Sequence, residues 1–166
     1  PPTICGLATF TAALYAELVT AGAGIGRVVR VVDAPERPPG AEVMCDLVAG
    51  DPSSAKRAAA MLNDGDIAIV QHEYGVYGGT DGDEILAVLE ALTVPSVVVL
   101  HTVLSAPTAH QREVLESVAA LAGAVVTMTA TARDRLATGY AVDMRKVTVI
   151  PHGAPVVRTT HAPTFR

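Results

Sequence analysis

The sequence predicts a doubly wound α/β fold, a mostly parallel sheet with helices on both faces. Two observations carry this. Short Val-rich runs alternate along the chain with longer segments whose apolar residues recur at helical spacing, the pattern of successive β-α units. Three of the expected strands are also followed by a histidine, in Gln71-His72-Glu73, Leu100-His101-Thr102 and Pro151-His152-Gly153. Parallel α/β sheets bind ligands outside the carboxyl ends of their strands, so these imidazoles read as one polar rim.

The elements follow in order. Leu7, Phe10, Leu14 and Leu18 predict a helix from Leu7 to Ala21, ended by Gly22, Gly24 and Gly26. Arg27 to Asp33 is a Val-rich strand. Pro35, Pro38, Pro39 and Gly40 mark a loop, and Glu42 to Val48 is a further strand. Asp51-Pro52-Ser53 has the form of a helix start; that helix runs to about Asn63 and closes at Asp64-Gly65. Asp66 to Gln71 is a buried strand, and a loop from Glu73 to Thr80 leads to a helix from Asp81 to Leu92. Asp81 and Glu84 have capping-box spacing there, and Ile85, Leu86, Leu89 and Leu92 form the apolar stripe. Pro95 opens the strongly apolar strand Ser96 to Leu100. A helix from Thr108 to Leu121, a strand from Ala124 to Met128, and a helix capped by Thr129 or Thr131 and reaching Thr138 come next. Lys146 to Ile150 is the last strand, closed by Pro151; the tail after Pro155 has no periodicity. The first helix begins almost at residue 1, whereas a doubly wound fold sets a strand before such a helix, so a strand upstream of Pro1 is expected.

Composition bounds the function classes. The chain has 166 residues, enough for one domain with a real core. Half of it is hydrophobic and 17% is charged, less than the usual quarter. Either part of the surface packs against something else, or the sheet is buried efficiently. A net charge of −5 argues against non-specific nucleic-acid binding, which needs basic patches. No run approaches the roughly 18 apolar residues of a membrane span, and no signal segment opens the chain. Cys5 and Cys45 lie far apart without a CxxC pattern, as expected of reduced thiols in a cytoplasmic protein.

Several motifs fail. Gly22-Ala23-Gly24-Ile25-Gly26-Arg27 has Arg27 in place of the third glycine of a dinucleotide fingerprint, and it lies between a helix and a strand rather than the reverse. His72-Glu73 begins like a zinc-protease helix, but Val76 replaces the second histidine. There is no GxSxG elbow, no phosphate-binding GxxxxGK[ST] loop and no clustered metal-ligand set.

Other residues fit a binding cleft. Gly6 opens a helix, where backbone N–H groups favour anions and a missing side chain permits close approach; the alternative is a plain turn glycine. His101 is able to donate to a hydroxyl or stabilise developing charge near neutral pH; the alternative is a structural histidine bonded to a nearby carbonyl. Gln71, His72, Glu73 and Tyr74 offer donors, acceptors and an aromatic face suited to a polyhydroxyl ligand, and Gly75, Gly78 and Gly79 let the loop bend over it. The alternative is a solvated loop with His72 paired to Glu73. Tyr77 and Asp81 are weaker candidates. Pro151, His152 and Gly153 read as a hinge, His110 as a surface residue.

Four segments together resemble a family. Pro1-Pro2-Thr3-Ile4-Cys5-Gly6-Leu7-Ala8-Thr9-Phe10, Gln71-His72-Glu73-Tyr74-Gly75-Val76-Tyr77-Gly78-Gly79, Leu100-His101-Thr102-Val103-Leu104 and Val149-Ile150-Pro151-His152-Gly153-Ala154-Pro155 resemble, in order and spacing, the N-terminal domain of family 4-like bacterial glycosyltransferases with the GT-B fold. The resemblance implies a Rossmann-like domain, one half of a GT-B fold, over residues 1–150, with residues 151–166 as inter-domain crossing and tail. It implies retaining transfer of a sugar from a nucleotide-sugar donor, no metal and no further cofactor. The chain would receive a sugar or glycan-type acceptor, and a C-terminal domain would hold most of the donor. By the resemblance, Gly6 and Leu7 touch the donor phosphate, and His101 lies beside the reacting sugar. Gln71, His72, Glu73, Tyr74, Gly75, Gly78 and Gly79 line the acceptor side. Cys5 fills a place where the family often has glycine, and no two Glu residues here stand eight apart, the spacing of the family's donor-side pair in the other domain. The competing expectation is a free-standing flavodoxin-like module that binds a small ligand without catalysis. A small hydrolase using His72, Glu73 and His101 lacks a nucleophile.

Overall fold

The structure is a computed structural model that describes residues 6–22, 24, 26–35 and 42–153. The expected loop at Pro38, Pro39 and Gly40, the residue Cys5 and the tail beyond Gly153 lie outside them.

The elements run α1 (Gly6–Thr20), β1 (Val28–Val32), β2 (Val43–Val48), α2 (Pro52–Leu62), β3 (Ala68–His72), α3 (Ile85–Ala91), β4 (Ser96–Leu100), α4 (Ala109–Leu121), β5 (Ala124–Thr127), α5 (Ala130–Gly139) and β6 (Val147–Val149). Every strand pairing is parallel. The described strands form two sheets, β1-β2 and β3-β4-β5-β6, flanked by helices, which is the α/β, Rossmann-like architecture the sequence predicts.

Local chemistry sets the boundaries. Asp51 caps α2 by accepting from the Ser53 N–H, with Pro52 as the first helical residue. Thr108 and Gln111 form a reciprocal capping box on α4, and Thr129 rather than Thr131 caps α5 through the Ala132 N–H. The expected capping box at Asp81 and Glu84 does not form. Asp81 instead takes a left-handed conformation with φ 54° inside a single 3₁₀ turn, and the helix starts only at Ile85. Its carboxylate goes across to α4, accepting from His110 Nδ1 at 3.0 Å and Gln111 Nε2 at 3.2 Å.

The four-stranded sheet builds its core in rungs. Val70, Val98, Val125 and Val147 are mutual partners across the four strands, and all four are buried. They pack in one cluster with Val88 and Leu89 of α3 and Val114, Leu115 and Val118 of α4. Fully burying such a side chain contributes about 1.5–3 kcal/mol, so this rung fixes the register. α3 lies between α2 and α4 and contacts both. The opposite face of β3 is open: Ile69 is exposed while Ala68 and Val70 on either side of it are buried.

Polar groups lock the layers together. Arg30 and Asp46, direct partners across β1 and β2, make a bidentate pair at 2.9 and 3.0 Å. The Lys146 ammonium donates to the carbonyls of Ala120 and Ala122, each at 2.9 Å, covering the C-terminus of α4 where a cation is favoured. Cys45 is a half-buried free thiol whose pKa burial pushes up.

Ser54 is the buried tie between β2 and α2. Its hydroxyl accepts from the Val48 N–H at 2.9 Å and lies 2.8 Å from the Asp51 carbonyl, with no exposed surface. Replacing it with alanine leaves that N–H unsatisfied, so Ser54→Ala is expected to lower unfolding stability by about 1–3 kcal/mol. Urea denaturation checks this; a midpoint equal to wild type would contradict it.

Candidate functional site

The site follows from the register of β3 and β4. His72 pairs with Leu100 and Gln71 with Val99. Side chains alternate along a strand, so His72 and Leu100 share the core-facing side while Gln71 and Val99 share the other. His101, two residues after Val99, continues that second side. Gln71 and His101 accordingly meet: Gln71 Oε1 lies 2.7 Å from His101 Nε2.

The expectation of a single rim carrying all three histidines is corrected here. β3 extends one residue further than the sequence pattern indicates and includes His72. That residue falls in the inward rung with Leu100 and Thr127, each with 1% exposure or less. His72, expected on the acceptor side, has no exposed surface and neither ring nitrogen has a hydrogen-bond partner. It is not paired with Glu73; among the described residues its ring meets the edge of Tyr74 at 5.3 Å. Burial pulls its pKa down to about 4, so the ring is neutral at pH 7.

The other two histidines do converge, through Phe10, which the sequence reading placed in a helix stripe and at the end of the first resembling segment but not among the site residues. The Phe10 ring of α1 packs edge-on against His101 at 5.1 Å and against His152 at 5.2 Å. Three elements thus meet at one end of the parallel strands: α1, the end of β4 and the segment after β6. Gly6 opens α1 one turn before Phe10. It is exposed, and among the described residues no atom outside its own turn of helix lies within 4 Å of where a side chain would begin. Leu7 follows, half-buried. Pro151, His152 and Gly153 are exposed and outside regular structure, with His152 Nδ1 2.8 Å from the Gly153 carbonyl.

The environment of His101 disfavours its charged form. Burial lowers its pKa from the ordinary imidazole value, His152 lowers it further, and Glu73 opposes both. Because an amide oxygen only accepts, the ring nitrogen facing it carries the proton. Nδ1 is left as an acceptor without a protein partner among the described residues.

The loop after β3 is pinned. Glu73 accepts from its neighbour's Tyr74 N–H at 3.0 Å and from the Thr102 hydroxyl at 2.5 Å, so the residues following both strands are tied to each other. Tyr74 donates to the Gln111 carbonyl at 3.3 Å and Tyr77 to the Gln71 carbonyl at 2.9 Å. Gly75 is exposed. Gly78 and Gly79 have a packing cause: a side chain on Gly78 would run into the Glu84 carboxylate and Ala49, and one on Gly79 into Asp83, at a backbone φ of +81°. Glu84 in turn accepts from the Gly50 N–H at 2.8 Å. His110, read as a surface residue, is 41% exposed but held between Asp81 and Asp83.

Among the described residues no group of three His, Cys, Asp or Glu side chains is placed to hold a metal ion. No described helix is long and apolar enough to cross a membrane.

The buried His72 supplies a pH test. The unfolded chain takes up its proton below about pH 6.5, and the native state only near pH 4. Stability therefore falls as pH drops through that window, by on the order of 3 kcal/mol from this group. His72→Leu is expected to remove that part of the acid slope without loss of stability at pH 7, since it deletes an unsatisfied buried group. Chemical denaturation across pH checks this; a variant with the wild-type slope would contradict it.

Comparison with known proteins identifies the family of the chain. The profile of Glycosyltransferase Family 4 matches residues 6–158, a span that contains every element described above. Comparisons with curated proteins and with solved structures returned no match. With a family match over nearly the whole chain, on a parallel α/β scaffold, the chain belongs to Glycosyltransferase Family 4.

Proposed function

We propose that this chain is the acceptor-binding, N-terminal domain of a retaining, nucleotide-sugar-dependent glycosyltransferase of the GT-B type. A second domain, entered through Pro151, His152 and Gly153, holds most of the donor. The observation that supports this best is the convergence of α1, the end of β4 and the segment after β6 on His101, with Gln71 bonded to its ring at 2.7 Å.

In this reading His101 works as a neutral group. Gln71 holds the Nε2–H, so the Nδ1 lone pair is presented to the cleft and accepts from a sugar hydroxyl, orienting the reacting ring. Its lowered pKa removes a charge-stabilising role at neutral pH and leaves positioning. The first N–H groups of α1, at Gly6 and Leu7, face the donor phosphate. Transfer then breaks the bond between the sugar carbon and the phosphate oxygen and forms one to the acceptor oxygen. The acceptor proton goes to the departing phosphate, so no base is required from this chain. Gln71, Glu73, Tyr74 and Gly75 border the acceptor; His72 lies beneath them, and Gly78 and Gly79 hold the loop's shape.

The complete enzyme tests this. His101→Ala is expected to lower kcat by about 100-fold or more, with a smaller change in the donor KM. The chain of 166 residues alone is expected to show no transfer with nucleotide sugars and acceptors. Wild-type turnover by His101→Ala, or robust turnover by the isolated chain, would contradict the proposal.

A further inference from the structure

A second concavity lies between α4 and α5, under the segment that continues from His101. It is a groove of about 220 Å³ whose lining includes Ser105, Pro107, Arg112, Arg135, Thr138 and Tyr140. Both arginines are held in place by neutral groups. The Arg112 guanidinium lies over the Tyr140 ring at 5.1 Å, and Arg135 Nη1 donates to the Val103 carbonyl at 2.9 Å. The Tyr140 hydroxyl donates to the next carbonyl, Leu104, at 2.8 Å. The Val103 and Leu104 carbonyls are thereby engaged, and most of the guanidinium N–H donors have no partner among the described residues.

Among the described residues neither arginine has a carboxylate within ion-pair distance. The ion pairs of the other described arginines are with Asp46, Asp51, Asp134 and Asp143. Glu116, one turn along α4 from Arg112, spends an oxygen on the Ala141 N–H at 2.8 Å and pairs with neither groove arginine. In a chain of net charge −5, two fixed, unneutralised guanidiniums lining one groove make a local positive field that selects an anion. Planar forks of donors match phosphate oxygens best, and the Ser105 hydroxyl adds a neutral polar group to the same lining, whereas the Thr138 hydroxyl donates to the Asp134 carbonyl at 2.9 Å.

We propose that this groove is a binding site for a phosphate-monoester group, held by Arg112 and Arg135. It is separate from the Gln71–His101 pair, and it stands whether or not the transfer reading above is correct.

The test is binding of inorganic phosphate to the full chain, followed by calorimetry and by NMR of the arginine side chains. Arg112→Gln and Ser105→Asp are each expected to weaken binding about tenfold or more, the second by placing a carboxylate on the groove wall at an exposed position. Arg133→Gln, on α5 outside the groove lining, is expected to bind within about twofold of wild type. Arg135→Gln is read only if its folding is intact, because it also loses the Val103 bond. Vesicles of phosphatidylcholine with and without phosphatidic acid separate the sources. Binding to phosphatidic acid vesicles alone, lost in the same variants, assigns the phosphate to a lipid headgroup; binding of free phosphate assigns a soluble ester. No binding to either probe, or binding unchanged in Arg112→Gln and Ser105→Asp, would overturn the proposal.

Discussion

The register between β3 and β4 is the constraint on which the site depends. Pairing His72 with Leu100 commits everything nearby to one of two sides, because the side-chain period of a strand is two. A slip of one residue would turn His72 outward and bury Gln71. The register is held by the valine rung across four strands, and a slip would turn that buried rung toward the open face. Core packing and site geometry are therefore one fact: the same alternation that buries Val70 and Val98 brings Gln71 and His101 within 2.7 Å.

Around that pair the chain spends its polar groups on rigidity. Glu73 ties the residues after β3 and β4 together, Tyr77 closes the loop back onto Gln71, and Asp81 accepts a left-handed backbone to reach α4. A loop pinned this way presents a shaped wall to a ligand without ordering cost at binding. The uncharged state of His101 fits the same design. Burial and His152 both disfavour its protonation, and Gln71 selects the tautomer, so the ring offers one acceptor in a set direction.

Much of this was legible in the sequence. The β4 strand, the helix starts at Asp51 and Thr108, a cap at Thr129 or Thr131, and the alternation of strand and helix all follow from local chemistry, since each start competes only with its own turn. The family followed from ordered motifs at Gly6, Gln71, His101 and Pro151. The side on which each histidine lies was not legible. It depends on whether β3 ends at Gln71 or His72, and one residue of strand length decides between rim and core. Phe10 stood in an apolar stripe and at the end of a resembling segment, but its place in the site was not visible, because its contact with His101 and His152 joins segments about ninety and a hundred and forty residues apart. Asp81 was misread as a cap since its spacing to Glu84 is right; the stronger claim on its carboxylate comes from His110 and Gln111, which no local pattern reveals. The two groove arginines carry no sequence signal either, because Glu113 and Asp134 stand next to them in the chain, and nothing in the order of residues shows that neither carboxylate pairs with them.

The central claim is that Gln71 and His101 act as one unit on the reacting sugar. A double-mutant cycle on kcat/KM of the complete enzyme, with Gln71→Ala, His101→Ala and the pair, measures this directly. The account predicts strong non-additivity, with a coupling of about 1 kcal/mol or more and the double variant little worse than His101→Ala alone. Losses that simply add would contradict it, since they would mean that the two side chains contribute independently despite their contact.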